Sequence, residues 1–576
     1  MKYLFSVLSI SILFCAKTFA EIKLMGVDGD IRDNIELLLE DRFNACLPIN
    51  TKPDQAYLEQ LQKTLTIATR AYGYYSPTFE LKEVDEIDGC ALLEATISLN
   101  QPILVDKVNI RIQGDGKQDI KFTEAVDKFK LKVGDILVDK HYKQLKKQLE
   151  SLAAEYIYLD AKFIQSEIRV SQKAKTAEIN LIFNTGTRYQ LGKVSLVQQP
   201  QAFLQQEFVE ALMPLVSDRY FTNSELYDAR QELLETNYFA TIAMQLQREK
   251  ALDGKVPITI TVTPQDRIDY SAGVGFSTDT DARLRFEYNN RRVTDHGYQF
   301  SSQLSLSDVI RELSGSLKLP SKDSPSESWY NIDAGYKEER TDELKSNTAK
   351  LGVSWSYAGA KHWSSVGFVD LVYDEFDTGV NDGNSLLVVP GVSWNYLKAD
   401  NPVIPKHGYR IQAELQGAHE SLLSDASFLQ LSASYKGIYT VKPKHRLLFR
   451  LALGTTSTTD LTDLPLDYRF FAGGDNSVRG FDYRTISPQS DDGDFVGGKH
   501  LTVASLEYDY RFKDSWAVAI FTDSGSAYND SPDFQYSAGV GLRWISPIGP
   551  IRFDVAVPID NPENDFRIHI SLGPDL

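Results

Sequence analysis

The stretch from Asp467 to Phe481 holds the residues of this chain best suited to a specific interaction. It runs D-Y-R-F-F-A-G-G-D-N-S-V-R-G-F and ends in Arg479, Gly480 and Phe481. A carboxylate can hold a guanidinium through two parallel hydrogen bonds, which makes the contact geometrically specific. A neighbouring glycine lets the backbone turn tightly. Three such residues in isolation are more typical of a solvated turn, so the rest of the chain must decide between a fixed and a solvated arginine.

Motifs that carry catalysis in other proteins are missing from the sequence. There is no Gly-x-Ser-x-Gly nucleophile elbow and no His-Glu-x-x-His zinc motif. The eight histidines are scattered, and none has a second histidine three or four residues away, which excludes a helical metal-binding pair. The paired glycines at 473–474 and 497–498 lack the strand-to-helix context of a phosphate-binding loop. We therefore expect no enzymatic activity, no cofactor and no metal site.

The amino terminus has the form of a secretory signal. Lys2 precedes an apolar stretch from Tyr3 to Ala16, and small residues, Thr18 and Ala20, stand where a signal peptidase requires them. We expect cleavage after Ala20. No later apolar run approaches the roughly 18 residues of a membrane helix, so a membrane-spanning form of this chain would have to be a closed β-barrel. The formal net charge of −18 argues against nucleic acid as a partner.

Two cysteines, Cys46 and Cys90, remain once the predicted signal, which contains Cys15, is removed. In an oxidising compartment outside the cytoplasm, a lone pair of cysteines is expected to form a disulfide. Cys46 follows a predicted helix and Cys90 precedes a predicted strand, so the bond would join a helix to its sheet. Two buried thiols are the alternative.

The first half of the chain mixes helix and strand in a three-fold repeat with a period near 80 residues. Each unit is predicted to run strand, helix, helix, strand, strand, over residues 21–100, 101–186 and 187–265. Asp139 and Thr222 stand where N-caps would begin the second helices of the second and third units. Gly73 and Asn237 suit the left-handed conformation that ends a helix, whereas Ile157, at the same place in the second unit, does not.

Apolar and polar residues alternate along almost all of residues 266–576. In one segment Ala282, Leu284, Phe286 and Tyr288 alternate with Arg283, Arg285 and Glu287. Segments of about 8–10 residues with full charges on the polar face are typical of a transmembrane barrel with lipid outside and water inside. At roughly 19 residues per strand and turn, the length of this half gives about 16 strands. Strand limits between residues 300 and 450 are not clear from the pattern.

The loop motif within this alternating half resembles the V-R-G-F loop of the BamA/TamA superfamily of outer-membrane protein insertases. The similarity extends through Gly549-Pro550-Ile551-Arg552 to the ending Leu572-Gly573-Pro574-Asp575-Leu576, and it is greatest to the TamA family. Three repeats before a barrel is the TamA number; BamA-like proteins usually have five and two-partner secretion transporters two. The ending in Leu576, where many outer-membrane proteins end in an aromatic residue, departs from BamA rather than from TamA.

The resemblance implies a fold and a location. The fold would be α+β: periplasmic POTRA repeats followed by an all-β transmembrane barrel of about 16 antiparallel strands. The three repeats become POTRA 1 (21–100), POTRA 2 (101–186) and POTRA 3 (187–265). The location would be the outer membrane of a Gram-negative bacterium, with the POTRA domains in the periplasm.

The resemblance also assigns a role to the loop motif. In the superfamily this loop folds into the barrel lumen, where its arginine contacts acidic residues on late strands. Carried over to this sequence, the lumen lock would comprise Arg479, Gly480 and Phe481, with Glu507 or Asp523 as the acidic partner.

A second candidate site is the seam at which the barrel must close. The first strand is predicted near Ile268 to Ser277 and the last near Phe566 to Gly573. The first strand contains Gly273 and Gly275, and glycine weakens a strand. The last strand ends at Gly573-Pro574, and proline donates no ladder hydrogen bond. The seam is therefore expected to be weak. An opened seam would expose unpaired backbone groups that template an incoming strand. The predicted seam residues are Ile268, Tyr270, Gly273, Gly275, Phe566, Ile568, Ile570 and Gly573.

The function implied by the resemblance is the folding and insertion of outer-membrane proteins, autotransporters among them. The implied partners are unfolded clients, outer-membrane lipid, and a TamB-like inner-membrane protein that docks on POTRA 1. Two alternatives stay open: a polypeptide secretion pore of the two-partner type, and an outer-membrane anchor for a phospholipid conduit.

Overall fold

A computed structural model describes residues 22–43, 53–87, 90–341, 344–360, 362–378, 382–401, 404–491, 493–546, 549–559 and 566–572. The predicted signal, Cys46 and Gly573 lie outside these residues, so the predicted Cys46–Cys90 disulfide is not among the contacts described below. The chain forms two compact units. One holds the residues up to Ser195 with Leu215–Asp228 and Gln245–Thr259; the other holds Leu196–Pro214, Ala229–Met244 and everything from Ile260 onward.

The first α+β repeat packs two amphipathic helices on a three-stranded sheet. Its elements are β1 (Ile22–Met25), α1 (Gly29–Arg42), α2 (Gln55–Arg70), β2 (Thr78–Ile87) and β3 (Cys90–Ser98), with strand order β1-β3-β2. Leucines spaced along one face of α2, among them Leu61 and Leu65, are buried against Leu24 and Ile97 of the sheet. The burial of this helical face supplies the core of the domain.

The next two repeats have the same order of elements. The second contains β4 (Leu104–Gln113), α3 (Ile120–Asp127), α4 (Asp139–Glu155), β5 (Lys162–Ser171) and β6 (Thr176–Asn184). The third contains β7 (Gln190–Gln198), α5 (Gln206–Ala211), α6 (Asn223–Glu235), β8 (Phe239–Leu246) and β9 (Lys255–Pro264). Their strand orders are β4-β6-β5 and β7-β9-β8. The order strand, helix, helix, strand, strand thus recurs three times, as the sequence predicts.

Two local expectations were wrong. Ile157 adopts the same left-handed conformation (φ +60°) as Asn237 (φ +63°) and Gly73 (φ +88°), although it is β-branched. Its side chain is only 2% exposed, so the packing of that side chain offsets a backbone strain of about 1–3 kcal/mol.

Asp139 does not cap α4: it is the first helical residue, and Val138 stands at the cap position without a side-chain hydrogen bond. Thr222 does cap α6, since its Oγ1 accepts a hydrogen bond from the Glu225 N–H at 3.1 Å.

The second half of the chain forms one antiparallel sheet of 16 strands, each paired with the next in sequence. The predicted barrel is confirmed. The strands are β10 (Ile268–Ser277), β11 (Asp281–Asn290), β12 (Gln299–Leu306), β13 (Ile310–Pro320), β14 (Ser328–Arg340), β15 (Lys345–Ala360), β16 (Trp363–Asp377), β17 (Asp382–Ala399), β18 (His407–Ala418), β19 (Phe428–Lys442), β20 (His445–Thr458), β21 (His500–Lys513), β22 (Trp516–Tyr528), β23 (Gln535–Ser546), β24 (Gly549–Pro558) and β25 (Arg567–Leu572).

Alternation along the strands separates an apolar outer face from a polar inner face. In β22, Val518 and Ile520 are exposed on the outside, while Phe521 and Asp523 are buried inside. An outer face with large exposed apolar side chains suits contact with lipid. No helix in the described part of the chain is long and apolar enough to cross a bilayer.

The conformation of Ile157 yields a prediction. Replacing Ile157 with glycine relieves the strain but removes a buried side chain, and deletion of a buried isoleucine costs about 2–5 kcal/mol. We therefore expect Ile157→Gly to destabilise its domain and to speed amide hydrogen exchange in β5 and β6, measured by mass spectrometry. The matched control is Asn237→Gly, which has the same backbone conformation at an exposed position. Slower exchange in Ile157→Gly would show that strain outweighs packing.

Candidate functional site

The long loop (residues 459–499) connects β20 to β21 and packs against the inner wall of the barrel. Ala472, Val478 and Ile486 of the loop form an apolar cluster with Val503 of β21. Phe481 packs against this cluster. The loop is therefore anchored by apolar contacts before any charge is considered.

Arg479 is the most extensively bonded residue of the long loop. It is 4% exposed, and its Nε and Nη2 donate to the two carboxylate oxygens of Asp523 on β22, at 2.7 and 2.9 Å. Nη1 donates to Glu507 on β21 at 2.7 Å. The guanidinium also lies 3.4 Å from the ring centre of Phe521, within cation–π range. The structure thus places Arg479 against both acids named from the sequence, with Asp523 as its bidentate partner.

Two further residues, Asp554 and Arg543, complete this charge network. Asp554 on β24 accepts a hydrogen bond from Arg479 Nη1 at 3.1 Å. Arg543 on β23 lies 2.8 Å from Glu507 and donates to Asp554 at 2.5 Å. Sequence reasoning missed both, although each is a charged residue on the polar side of a well-patterned strand. The alternation placed them on the inner wall, but it could not show which inner-wall charges meet.

Gly480 fixes the direction of the motif. Its φ of +96° is a left-handed conformation that favours glycine. Its N–H donates to Nε2 of His569 on the last strand at 2.8 Å. The motif therefore contacts the last strand of the barrel as well as β21, β22 and β24.

A second ion network anchors the long loop elsewhere on the wall. Asp467 of the loop binds Lys337 of β14 at 2.5 Å, and Arg484 of the loop lies 3.2 Å from Glu339 of the same strand. In the 16-strand order, β14 is eight strands away from β22, which holds Asp523. The loop thus has anchors on opposite sides of the lumen.

The seam lies between β10 and β25, the two ends of the strand order. In the part of the chain that the structure describes, β10 pairs with β11 alone and β25 with β24 alone. The first strand spans the predicted residues, whereas the last begins one residue after Phe566. Ile268, Tyr270, Phe566 and Ile568 are exposed, Ile570 is half-buried, and a Cβ added at Gly273 or Gly275 would meet nothing within 4 Å.

This combination of α+β repeats, a 16-stranded barrel with an unpaired seam, and a loop fixed inside by arginine defines a class of outer-membrane proteins. The family model for the Omp85 superfamily domain matches residues 267–575, and that for POTRA domain TamA domain 1 matches residues 21–99. The chain belongs to the Omp85 superfamily. It is an outer-membrane β-barrel protein with its POTRA domains in the periplasm.

Similar proteins are outer membrane protein assembly factors named BamA. That of Nitratidesulfovibrio vulgaris is 25% identical over 451 residues, which cover 74% of this chain and 56% of the relative. That of Neisseria meningitidis serogroup B is 26% identical over 226 residues, covering 32% of this chain and 28% of the relative. The chain therefore spans about half the length, or less, of these relatives.

A solved structure supports the fold. The crystal structure of BamA from Haemophilus ducreyi lacking POTRA domains 1–3 matches with a TM-score of 0.65 and 18% identity. The match covers 81% of this chain and 99% of that one.

The buried network predicts the effect of removing Arg479. Arg479→Ala leaves Asp523, Glu507 and Asp554 with less compensating positive charge, and removal of one partner of a buried ion pair costs about 3–5 kcal/mol. We expect the barrel to lose its heat-modifiable electrophoretic mobility at a lower temperature than wild type. Arg479→Lys, which keeps the charge but cannot form the bidentate contact, should be intermediate.

The matched control is Arg311→Ala, which removes an exposed arginine lying 3.6 Å from Glu338. Exposed pairs contribute about 0–1 kcal/mol, so this variant should behave as wild type. An Arg479→Ala barrel as heat-stable as the Arg311→Ala barrel would contradict a structural role for the network.

Proposed function

We propose that this chain promotes the folding and insertion of outer-membrane proteins, autotransporter-type clients among them, by templating client strands at the seam between β10 and β25. Templating depends on an exposed backbone edge and involves no enzymatic step. The observation that carries the proposal is the lack of ladder pairing between the two terminal strands in the described residues. Unpaired N–H and C=O groups at a sheet edge pair readily with another chain.

The lipid environment makes such an edge effective. Backbone groups that lack partners in the hydrocarbon region cost several kcal/mol each, which favours any strand that satisfies them. A client strand that pairs with β10 gains the same hydrogen bonds for itself. Templating therefore lowers the cost of bringing client backbone into the bilayer.

The position of the long loop supports insertion over a secretion pore. Its anchors at Asp467 and Arg479 lie on opposite walls, so the loop crosses the lumen that a translocating chain would need. Both anchors are ion networks, and every member of the Arg479 network is buried. A pore function would require this crossing to be dismantled in each transport cycle.

Locking the seam tests the proposal. Ala272→Cys with Ile570→Cys should allow a disulfide across the seam, and the oxidised protein in liposomes should lose its acceleration of the folding of an unfolded autotransporter barrel. Reduction should restore the wild-type rate.

The control is a disulfide between Val540 and Val555, which already face each other on β23 and β24 and should not need to separate. Wild type treated with the same reductant controls for any effect on Cys46 and Cys90. If the oxidised seam variant accelerates folding as well as wild type, the seam is not the working edge. A wide, steady ion conductance from the purified barrel would instead favour the pore.

For the periplasmic partner, we propose that POTRA 1 docks a TamB-like inner-membrane protein. The match of residues 21–99 to the TamA-type POTRA model supports this assignment. We expect a chain lacking residues 21–99 to fail to capture such a partner in a pull-down while its barrel keeps heat-modifiable mobility. Undiminished capture would exclude POTRA 1 as the dock. Loss of capture with normal client folding would favour a lipid-conduit role for the partner.

A further inference from the structure

Asp475, in the long loop, binds the extracellular end of the first barrel strand. Its two carboxylate oxygens accept hydrogen bonds from Ser277 Oγ at 2.7 Å and Thr278 Oγ1 at 2.8 Å. Its backbone N–H donates to a carboxylate oxygen of Asp279 at 2.7 Å. The last residue of β10 and the two residues that follow it thus bind one residue of the loop.

The same carboxylate also binds the last barrel strand. Nδ1 of His569 on β25 contacts Asp475 Oδ1, and His569 Nε2 accepts the Gly480 N–H at 2.8 Å. Asp475 is 8% exposed and His569 is 5% exposed. Asp475 is therefore a buried polar bridge between the two strands that the sheet leaves unpaired.

The geometry favours a hydrogen-bonded contact over a metal site at this position. Asp279, Asp475 and His569 present ligand atoms within 4.8 Å of one another, which is the spacing of a possible metal site. However, the Gly480 N–H occupies the lone pair of His569 Nε2. Nδ1 then carries the proton and donates to Asp475, so neither ring nitrogen has a free lone pair for a metal.

We propose that Asp475 and His569 are positioning residues that clasp the extracellular end of the seam in place of ladder hydrogen bonds. In the clasp, one loop carboxylate holds β10 through Ser277 and Thr278, and β25 through His569. The clasp must release before a client strand can pair along the whole of β10. Its role in assembly rests on the proposed templating function; its effect on the seam does not.

The clasp is coupled to the arginine network through the chain. Asp475 and Arg479 are four residues apart, and Gly480, next to Arg479, donates to the imidazole that binds Asp475. Movement of the motif away from Asp523 would therefore pull on His569 as well. Seam opening and loop displacement become one event rather than two.

Distance measurement between the two strands tests the clasp without any client. Spin labels are attached through Phe276→Cys and Ile568→Cys, two outward-facing positions, in a Cys46→Ser, Cys90→Ser background in lipid nanodiscs. Asp475→Ala and His569→Ala should each lengthen the label distance by one strand spacing, ~5 Å, and broaden its distribution. The double variant should lengthen the distance no further, because the two residues form one contact.

Asp491→Ala, at an exposed position of the same loop, is the matched control and should leave the distance unchanged. If Asp475→Ala fails to show heat-modifiable mobility, Ser277→Ala with Thr278→Val removes only the first-strand hydroxyls and should give the same lengthening. Wild-type distances in the folded clasp variants would overturn the clasp, whatever the client assay shows. Lengthened distances together with a locked seam that still accelerates folding would sustain the clasp and overturn templating.

Discussion

The structure depends on one constraint: backbone hydrogen bonds must be satisfied where there is no water. Fifteen strand pairs in the described 16-stranded sheet satisfy it with hydrogen-bonded ladders. The remaining pair, β10 and β25, meets without a ladder in the described residues. The barrel wall is continuous except at the seam between β10 and β25. Side chains from the long loop occupy the extracellular end of this seam.

The charges inside the barrel follow from the same constraint. A buried ion pair is stabilising only when its geometry is good and its remaining donors and acceptors are used. Arg479 meets this condition with three acids on three different strands, β21, β22 and β24. Arg543 shares two of those acids, so the network holds adjacent strands in register as well as holding the loop. The site therefore works as a structural unit whose members are few and specific.

Sequence patterns were sufficient for the fold and for part of the site. Period-two alternation predicted the barrel and the first strand, and the motif with its resemblance predicted Arg479, Glu507 and Asp523. Asp554, Arg543 and the opposite-wall pair of Lys337 and Asp467 were missed, because alternation shows which face a charge occupies but not what it meets. His569 was treated as an isolated histidine, since its partners are 89 and 94 residues away in sequence.

The failed expectation at Ile157 has a related cause. Propensity describes the backbone cost of a left-handed isoleucine, but not the burial of its side chain. At Gly73 and Asn237 the left-handed conformation costs little, because these residue types tolerate it, and the residue type was sufficient to predict it. At Ile157 the backbone strain opposes the gain from burying the side chain, and only the tertiary packing shows that burial prevails.

The separations of these contacts along the chain bear on how this barrel itself folds. Arg479 meets Glu507, Asp523 and Asp554 across 28 to 75 residues, whereas Asp475 meets Ser277 across 198. Contacts between near neighbours in sequence form with less loss of chain entropy than distant ones. The carboxy-terminal strands can thus enclose the loop first, leaving the arrival of β10 as the last step. A barrel that folds in that order passes through an intermediate that is open between β10 and β25. The same two strands remain unpaired in the folded protein.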